Sequence, residues 1–398
     1  MGEAAAERTP VLVLNAISPG GLALLPAERY RVGTDIAEPA AILLRSADLH
    51  TRPIPASVVA VGRAGAGTNN IPVAALTARG VPVFNTPGAN AGAVKELVLA
   101  GMLLASRNLA PALRFVAALD TASPDFEKTV EDGKKAFAGR ELQGHTLGIV
   151  GLGKIGCLVA DAAIKLGMNV LGFDPDITVD AAWSLPAQVK RASSVNDVLR
   201  SSQFVTLHVP LVEATRGLVN DANIGLMRSS AVLLNFSREG VVDNEAVLSA
   251  LGGNGLASYV CDFPHASLHR HPKVVALPHL GASTREAEEN CAVMVVDQLR
   301  DYLEHGQVSH AVNFPSVMMA RESAYRVAIA NANVPNMLGQ ISTTMANAGL
   351  NIHNMVNKSR GEMAYTLVDV ESPVGPAVLQ ALQAIHGVLA VHYLPDPR

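Results

Sequence analysis

The sequence predicts an α/β chain of two doubly wound parallel-sheet domains followed by a small ferredoxin-like domain. Three observations lead there. Short apolar runs alternate with helical patterns through most of the chain, the signature of buried strands joined by crossover helices. A glycine-rich turn, Gly151-Leu152-Gly153-Lys154-Ile155-Gly156, separates one such run from a helix. The tail repeats neither pattern and reads strand, helix, strand, strand, helix, strand.

Length and composition set the frame. A chain of 398 residues exceeds one small core and implies two or three domains of about 100–200 residues each. Apolar residues make up 49% and charged residues 17%, which excludes a disordered chain. The formal net charge is −4 and no long basic block occurs, so nothing points to nucleic acid. An anionic substrate then has to be held by a few placed arginines. Cys157, Cys261 and Cys291 have no paired spacing, which argues against a disulfide framework or a zinc site and for a reducing compartment. The longest apolar run, near 97–105, is far short of the ~20 residues that a membrane span needs. Met1–Ala6 offers no apolar signal core, and Ala6 stands where a myristoylation signal wants Ser or Thr. A cytoplasmic protein is expected.

In chain order, strands are expected at 11–14, 41–44, 58–61 and 81–84, with helical pattern between them. Asn85-Thr86-Pro87-Gly88 is a turn cluster, after which the periodic stretch 93–105 reads as a helix entering a new domain. The charged segment 125–140 reads as surface. A second series follows at 146–150, 169–173, 204–208, 231–235, 257–261 and 274–277. The long periodic stretch 285–305 reads as the helix that returns to the first domain. Residues 311–323, with Pro315, read as a linker. In the tail, strands are expected at 326–330, 351–357, 364–370 and 389–393, and helices at 337–348 and 377–385. The domains are thus expected at 1–95 with 285–312, at 96–284, and at 325–398 after a linker at 313–324.

The GxGxxG has the context that gives such a motif meaning, a strand before it and a helix after it. Gly151 allows the tight turn, Gly153 lets backbone approach a pyrophosphate, and Gly156 lets the helix pack on the strand. The helix start, at Lys154 and Ile155, offers free N–H groups and a positive dipole end to the phosphates. Asp174 closes the next strand, eighteen residues past Gly156. A carboxylate there accepts from ribose hydroxyls and repels a 2′-phosphate, which favours NAD over NADP.

Four motifs carry a resemblance. Asn235-Phe236-Ser237-Arg238-Glu239-Gly240-Val241-Val242-Asp243 and Leu277-Pro278-His279-Leu280-Gly281-Ala282-Ser283-Thr284 resemble the D-isomer-specific 2-hydroxyacid dehydrogenases. Val61-Gly62-Arg63-Ala64-Gly65 and Asn85-Thr86-Pro87 resemble the same family's substrate-domain motifs. The match runs in the family's order over nearly the whole chain. It implies a substrate domain interrupted by an NAD domain, with the active site in the cleft between them.

The residue types suit that chemistry. Arg238 matches the family arginine, whose planar fork grips the carboxylate and carbonyl oxygens of a 2-oxo acid. His279 matches the family histidine. An imidazole, with an intrinsic pKa of about 6.5, can take the hydroxyl proton as hydride leaves. The resemblance assigns His208, Pro210, Phe236, Ser237, Asp262 and Gly281 to the cofactor, with Asp262 on the nicotinamide amide. One departure stands out. The family places a glutamate in a DVFxxEP-like stretch, where it supports the histidine. Here Asp262-Phe263-Pro264-His265-Ala266-Ser267-Leu268 puts Ser267 or Ala266 at that position. Either another acid supports His279, or it works without one. His265, His269 and His271 lie close in sequence but lack ligand spacing, so no metal is expected.

Leu44-Arg45-Ser46 resembles the stretch that holds substrate phosphate in the phosphoglycerate-oxidising members of the family, and Arg63 ends the next strand. With Gly65 and Asn85 these residues are the expected substrate contacts, and 3-phosphoglycerate is the implied substrate. The tail resembles an ACT domain, a module that binds amino acids. In those members it takes L-serine as feedback inhibitor. Asn333 and Asn351 match the asparagines that hold the effector, and Asn331 stands where some members have histidine. A homodimer or homotetramer is implied. Two other readings stay open: a dehydrogenase of another D-2-hydroxy acid, of the lactate, glyoxylate or 2-oxoglutarate type, and an NAD-sensing binding protein without turnover.

Overall fold

The computed structural model describes residues 8–395. The N-terminal residues read for a targeting signal, and the last three of the tail, lie outside that range. The chain divides into two units: residues 1–89 with 288–398, and residues 90–287.

The first unit opens with a five-stranded sheet: β1 (Thr9–Leu14), β2 (Tyr30–Gly33), β3 (Ala41–Leu44), β4 (Ala60–Arg63) and β5 (Val83–Phe84). The order is β2-β1-β3-β4-β5 and every pairing is parallel. β3 is buried at all four positions, as an unbroken Ala-Ile-Leu-Leu run requires. β2 has one buried residue, Tyr30, so the apolar signal gave no expectation of a strand there. The helix Arg285–His305 matches the expected span. From Cys291 through Ala292, Val295, Val296 and Leu299 to Tyr302 it buries one stripe at helical spacing. Gly62 permits this packing, because a Cβ there would lie 2.7 Å from Val295 and 2.8 Å from Leu299.

The second unit holds a seven-stranded sheet: β6 (Thr146–Val150), β7 (Asn169–Phe173), β8 (Lys190–Arg191), β9 (Phe204–Leu207), β10 (Val232–Asn235), β11 (Ser258–Cys261) and β12 (Val274–Ala276). All pairings are parallel in the order β12-β11-β10-β9-β6-β7-β8. The chain leaves β6 toward β7 and later returns on β6's other side to β9. The carboxyl end of β6 is therefore the topological switch point, where open α/β sheets bind ligands. The helix Ala91–Ser106 belongs wholly to this unit and buries Val94, Val98, Gly101 and Met102. Residues 125–140 are surface, as expected, although they include the helix Phe126–Gly133, which buries no residue.

The tail is built from β13 (Tyr325–Ala332), β14 (Ile352–Arg360), β15 (Met363–Val370) and β16 (Val388–Pro395), ordered β14-β15-β13-β16. With its helices Met337–Asn347 and Pro376–Gln383 this is the expected β-α-β-β-α-β arrangement. Alternation along β13 decides which face packs where. Val327 and Ile329 meet the helices, whereas Ala328 and Ala330 join Phe84, Tyr302 and Phe314 in the core of the first unit. The central strands β13 and β15 are therefore buried on both faces. The stretch read as a linker is irregular but packed, with Phe314 and Val317 fully buried and Val308 paired to Val317.

A buried ion pair ties these pieces together. Arg326 and Asp369 are both inaccessible and meet twice, at 2.6 and 2.8 Å. The remaining Arg326 donors reach the carbonyls of His305, Met319 and Ala320. Arg321 makes a parallel tie, donating to the carbonyls of Glu304, Ser323, Ala324 and Leu394. No single helix among the described residues is long and apolar enough to cross a membrane. Breaking a buried pair strands a charge, at a cost of about 3–5 kcal/mol. Asp369→Asn is expected to lower the thermal unfolding transition accordingly in a calorimetric scan, whereas Asp48→Asn, at an exposed loop, is expected to leave it in place.

Candidate active site

A parallel sheet delivers all its carboxyl ends to one edge. Along the seven-stranded sheet that edge carries, in spatial order, His279 beyond β12, Asp262 beyond β11, Arg238 beyond β10, His208 and Pro210 beyond β9, the glycine turn beyond β6, and Asp174 beyond β7. Every cofactor and catalytic residue expected from the sequence lies in this row or in the loops that leave it.

The glycine turn shows why each glycine is needed. Gly151 has φ +93°, and a Cβ there would strike the His208 carbonyl. At Gly156 a Cβ would strike the Gly151 carbonyl, so the helix Lys154–Lys165 could not close on the strand. Gly153 is different, because a Cβ there would meet nothing of the protein within 4 Å. Its bareness serves an incoming group. Gly153 also leads the helix without a side-chain cap, so the first N–H groups, at Lys154 and Ile155, remain available to a phosphate. Asp174 steadies the turn by accepting from the Leu152 N–H at 2.8 Å, and its other oxygen accepts from Asp176. The residues present thus fit a dinucleotide.

His208 lies beside this turn. Its backbone N–H donates to the Val150 carbonyl at 2.7 Å, and its Nε2 is 3.0 Å from the Thr206 hydroxyl. Burial pushes its pKa down to about 3, so the ring is neutral over the whole working range of an enzyme. Pro210 is exposed, and its carbonyl accepts from the Thr215 hydroxyl.

The Arg238 loop is built by Asn235, which the sequence reading quoted but did not assign. Fully buried at the end of β10, Asn235 accepts from the N–H and hydroxyl of Ser237 and donates to the Arg238 carbonyl. The Arg238 Nη1 donates to the Ser237 carbonyl at 2.7 Å, which leaves the rest of its fork for a ligand. Phe236 is buried beneath, against Gly101, so its side chain serves the core.

His279 sits in an unusual backbone state, with φ +58°. Non-glycine residues adopt the left-handed region at some cost, and such strain clusters at functional sites. Asp262 enforces it. This buried carboxylate accepts from the N–H groups of Leu280 and Gly281, both at 2.7 Å, while its own carbonyl accepts from the His279 N–H. Asp262 therefore shapes the His279 loop, a role the sequence did not reveal. The His279 ring is exposed and meets Phe263 edge-on, with centroids 5.0 Å apart. Among the described residues of this unit no carboxylate pairs with it. Ser267, one of the two residues that the sequence puts at the glutamate's position, is turned instead to His265.

On the first unit, the five-stranded sheet also gathers its residues at one edge. Arg45 and Ser46 follow β3, Arg63 ends β4 with Gly65 just beyond, and Asn85 follows β5. Asn15, beyond β1, holds the Arg45 loop by accepting from the N–H groups of Ser46 and Ala47. Asn70 donates to the carbonyls of Arg45 and Ala47, and Asn85 donates to that of Ala66. Gly65 lies under the Arg63 guanidinium, where a Cβ would come 2.5 Å from Nη1. Neither Asn15 nor Asn70 carries a motif, so sequence alone gave no reason to name them.

In the tail, Asn331 is buried and donates to the Ala332 carbonyl, and Asn333 donates to that of Gly361. Both lie at the carboxyl end of β13, where Asn331 pairs with Ala364. Asn351 precedes Ile352, which pairs with Val370 at the sheet's other end. Six residues of β15 separate the two ends, about 20 Å at 3.3 Å per residue. One chain does not bring the three asparagines together.

Comparisons with known proteins agree with this geometry. The family described as D-isomer specific 2-hydroxyacid dehydrogenase, NAD binding domain, matches residues 99–281. A D-3-phosphoglycerate dehydrogenase of Methanocaldococcus jannaschii is 33% identical over 316 residues, 78% of this chain and 57% of that protein. One of Haemophilus influenzae is 32% identical over 349 residues, 85% of this chain and 81% of its own length. The crystal structure of NAD+-bound 3-phosphoglycerate dehydrogenase from Entamoeba histolytica aligns with a TM-score of 0.60 at 22% identity, covering 77% of this chain and 99% of that one. The last is a likeness of fold.

The open space at Gly153 makes a direct test of the cradle. Gly153→Ala is expected to fold with an unchanged thermal transition, because the methyl meets no protein atom. It is expected to weaken NADH binding about tenfold or more, read by fluorescence titration, because the methyl fills the approach of the phosphates.

Proposed function

This chain belongs to the D-isomer-specific 2-hydroxyacid dehydrogenases, and from that premise we propose that it oxidises D-3-phosphoglycerate to 3-phosphohydroxypyruvate, the entry step to serine. It is an NAD-dependent dehydrogenase. The observation that carries the reading is the single edge of the seven-stranded sheet, which lines up a dinucleotide cradle, a free arginine fork and an exposed imidazole. NAD supplies the acceptor for the hydride that leaves C2.

The chain's own residues do the rest. Arg238 orients the substrate carboxylate through its two-pronged donors. His279 takes the hydroxyl proton, and Asp262 keeps its loop in the strained backbone state that presents the ring. The neutral His208 adds no positive charge beside the cradle. On the first unit, Arg45 and Arg63 supply guanidiniums for the phosphate. Charge favours this substrate over pyruvate, because an unphosphorylated acid brings no second anion for those arginines to bind.

Within the tail we assign the effector role to Asn331, Asn333 and Asn351. Since one chain holds them at opposite ends of its sheet, a serine site that uses all three requires a second copy, and the active form is a homo-oligomer. A cytoplasmic location suits the three buried, unbridged cysteines.

One observation favours a second reading. A histidine without a supporting acid suits a protein that binds NADH and turns nothing over. NADH oxidation with 3-phosphohydroxypyruvate, pyruvate and 2-oxoglutarate decides between them. Preference for the phosphorylated acid, and slowing by L-serine, are the expected results. NADH binding with no turnover of any acid overturns the catalytic reading. His279→Asn is expected to lower kcat at least about a hundredfold, the usual contribution of a general base, with NADH affinity retained. Near-normal turnover in that variant would remove His279 from the mechanism.

A further inference from the structure

The phosphate site assigned to the first unit already contains an anion. Arg45 Nη1 lies 2.8 Å from Glu288 Oε1, and both side chains are partly exposed, at 36% and 45%. Glu288 stands at the start of the helix Arg285–His305, one turn before Cys291. Burial pushes the Cys291 thiol up, and the Thr86 hydroxyl, Arg45 and Arg63 pull it partly back. Both guanidiniums therefore act on one point of this helix, at the carboxyl edge of the five-stranded sheet. The cluster is two cations, one carboxylate and a hydroxyl.

We propose that Glu288 is a specificity residue that occupies Arg45 in place of the substrate's phosphate and must be displaced by it. The inference rests on the reading that Arg45 receives that phosphate. The ion pair has two consequences. It holds the long Arg45 side chain near its working position, since the partner sits on a helix packed against the sheet. It also sets a threshold for entry. A carboxylate held at 2.8 Å yields to a group of higher charge and more acceptor oxygens. A phosphate, with charge near −2 at neutral pH and three terminal oxygens, meets that condition, whereas a hydroxyl or a single carboxylate does not. Because the exchange happens partly in solvent, the pair is of modest strength and the substrate can win.

Opposed signs separate this from a purely supporting role. A competitor, once removed, lowers KM for the phosphorylated acid. A support, once removed, raises it. The measurement is steady-state NADH oxidation with 3-phosphohydroxypyruvate and with hydroxypyruvate, for the full-length enzyme and for Glu288→Gln, Arg45→Ala and the double variant. Glu288→Gln is expected to lower KM for the phosphorylated acid about two- to fivefold, the range set by a partly exposed ion pair. KM for hydroxypyruvate is expected to stay put, and the gain to vanish in the Arg45→Ala background. An unchanged or higher KM in Glu288→Gln, beside a clear rise in Arg45→Ala, overturns the role of Glu288 and leaves the Arg45 reading standing. If Arg45→Ala raises KM no more for the phosphorylated acid than for hydroxypyruvate, the phosphate reading itself fails and this inference falls with it.

Discussion

Parallel strand pairing is the constraint on which the functional edges depend. A parallel strand must return by a crossover, so all its carboxyl ends open on one side and all its loops there are free to vary. Freedom is also a hazard, since each loop begins with backbone groups that the ladder no longer satisfies. The same device answers it four times. Asn15 holds the loop after β3, Asp174 the loop after β6, Asn235 the loop after β10, and Asp262 the loop after β12. Three of these side chains start from one strand and bind N–H groups beyond another. Neighbouring loops are thereby cross-tied, and the arginines and histidine they carry are positioned before any ligand arrives, which is where a binding site gains most.

The tail is joined by a different kind of bond. Arg326 spends its donors on Asp369 and three carbonyls, and Arg321 spends its donors on four. The accepting carbonyls of Glu304 and His305 end the helix Arg285–His305, where unpaired acceptors and the negative end of the dipole favour a guanidinium. A buried ion pair contributes little net stability over a well-packed apolar contact. Its merit here is geometric, because only one placement of the tail sheet satisfies all of these acceptors. The stretch 311–323 is thus no free tether, even though its composition reads as one.

What the sequence disclosed follows burial. β3 and β6 were legible to the residue because their apolar runs are buried nearly throughout, β7 because its buried residues alternate, and the helix Arg285–His305 because its stripe is periodic. β2 and β8 escaped notice. Edge strands bury little, and both residues of β8 are exposed cations. At the site, motif spacing pointed to the glycine turn and Asp174, and the family resemblance to Arg238 and His279. Both were silent on how they are held. The left-handed backbone of His279 has no sequence signature, since it is imposed by Asp262 from another loop. Asn15 and Asn70 look like any turn asparagine until the sheet brings their loops together. Packing of the tail against the first unit was equally hidden, because the small residues Ala328 and Ala330 mark no partner.

Electrostatics explains why so few charges have to be so well placed. The chain carries a net charge of −4, and its substrate as proposed is a polyanion. At physiological salt the Debye length is about 8 Å, so the bulk field neither attracts nor repels strongly at a distance. Selection falls to contacts shorter than that. On the first unit, Arg45 and Glu288 largely cancel in the absence of ligand. On the second unit, Asp262 is engaged by backbone N–H groups and His208 is held neutral, so the carboxylate of an acid is left to the Arg238 fork. Selection at each edge therefore rests on which of these few groups an incoming anion reaches, and not on the charge of the chain as a whole.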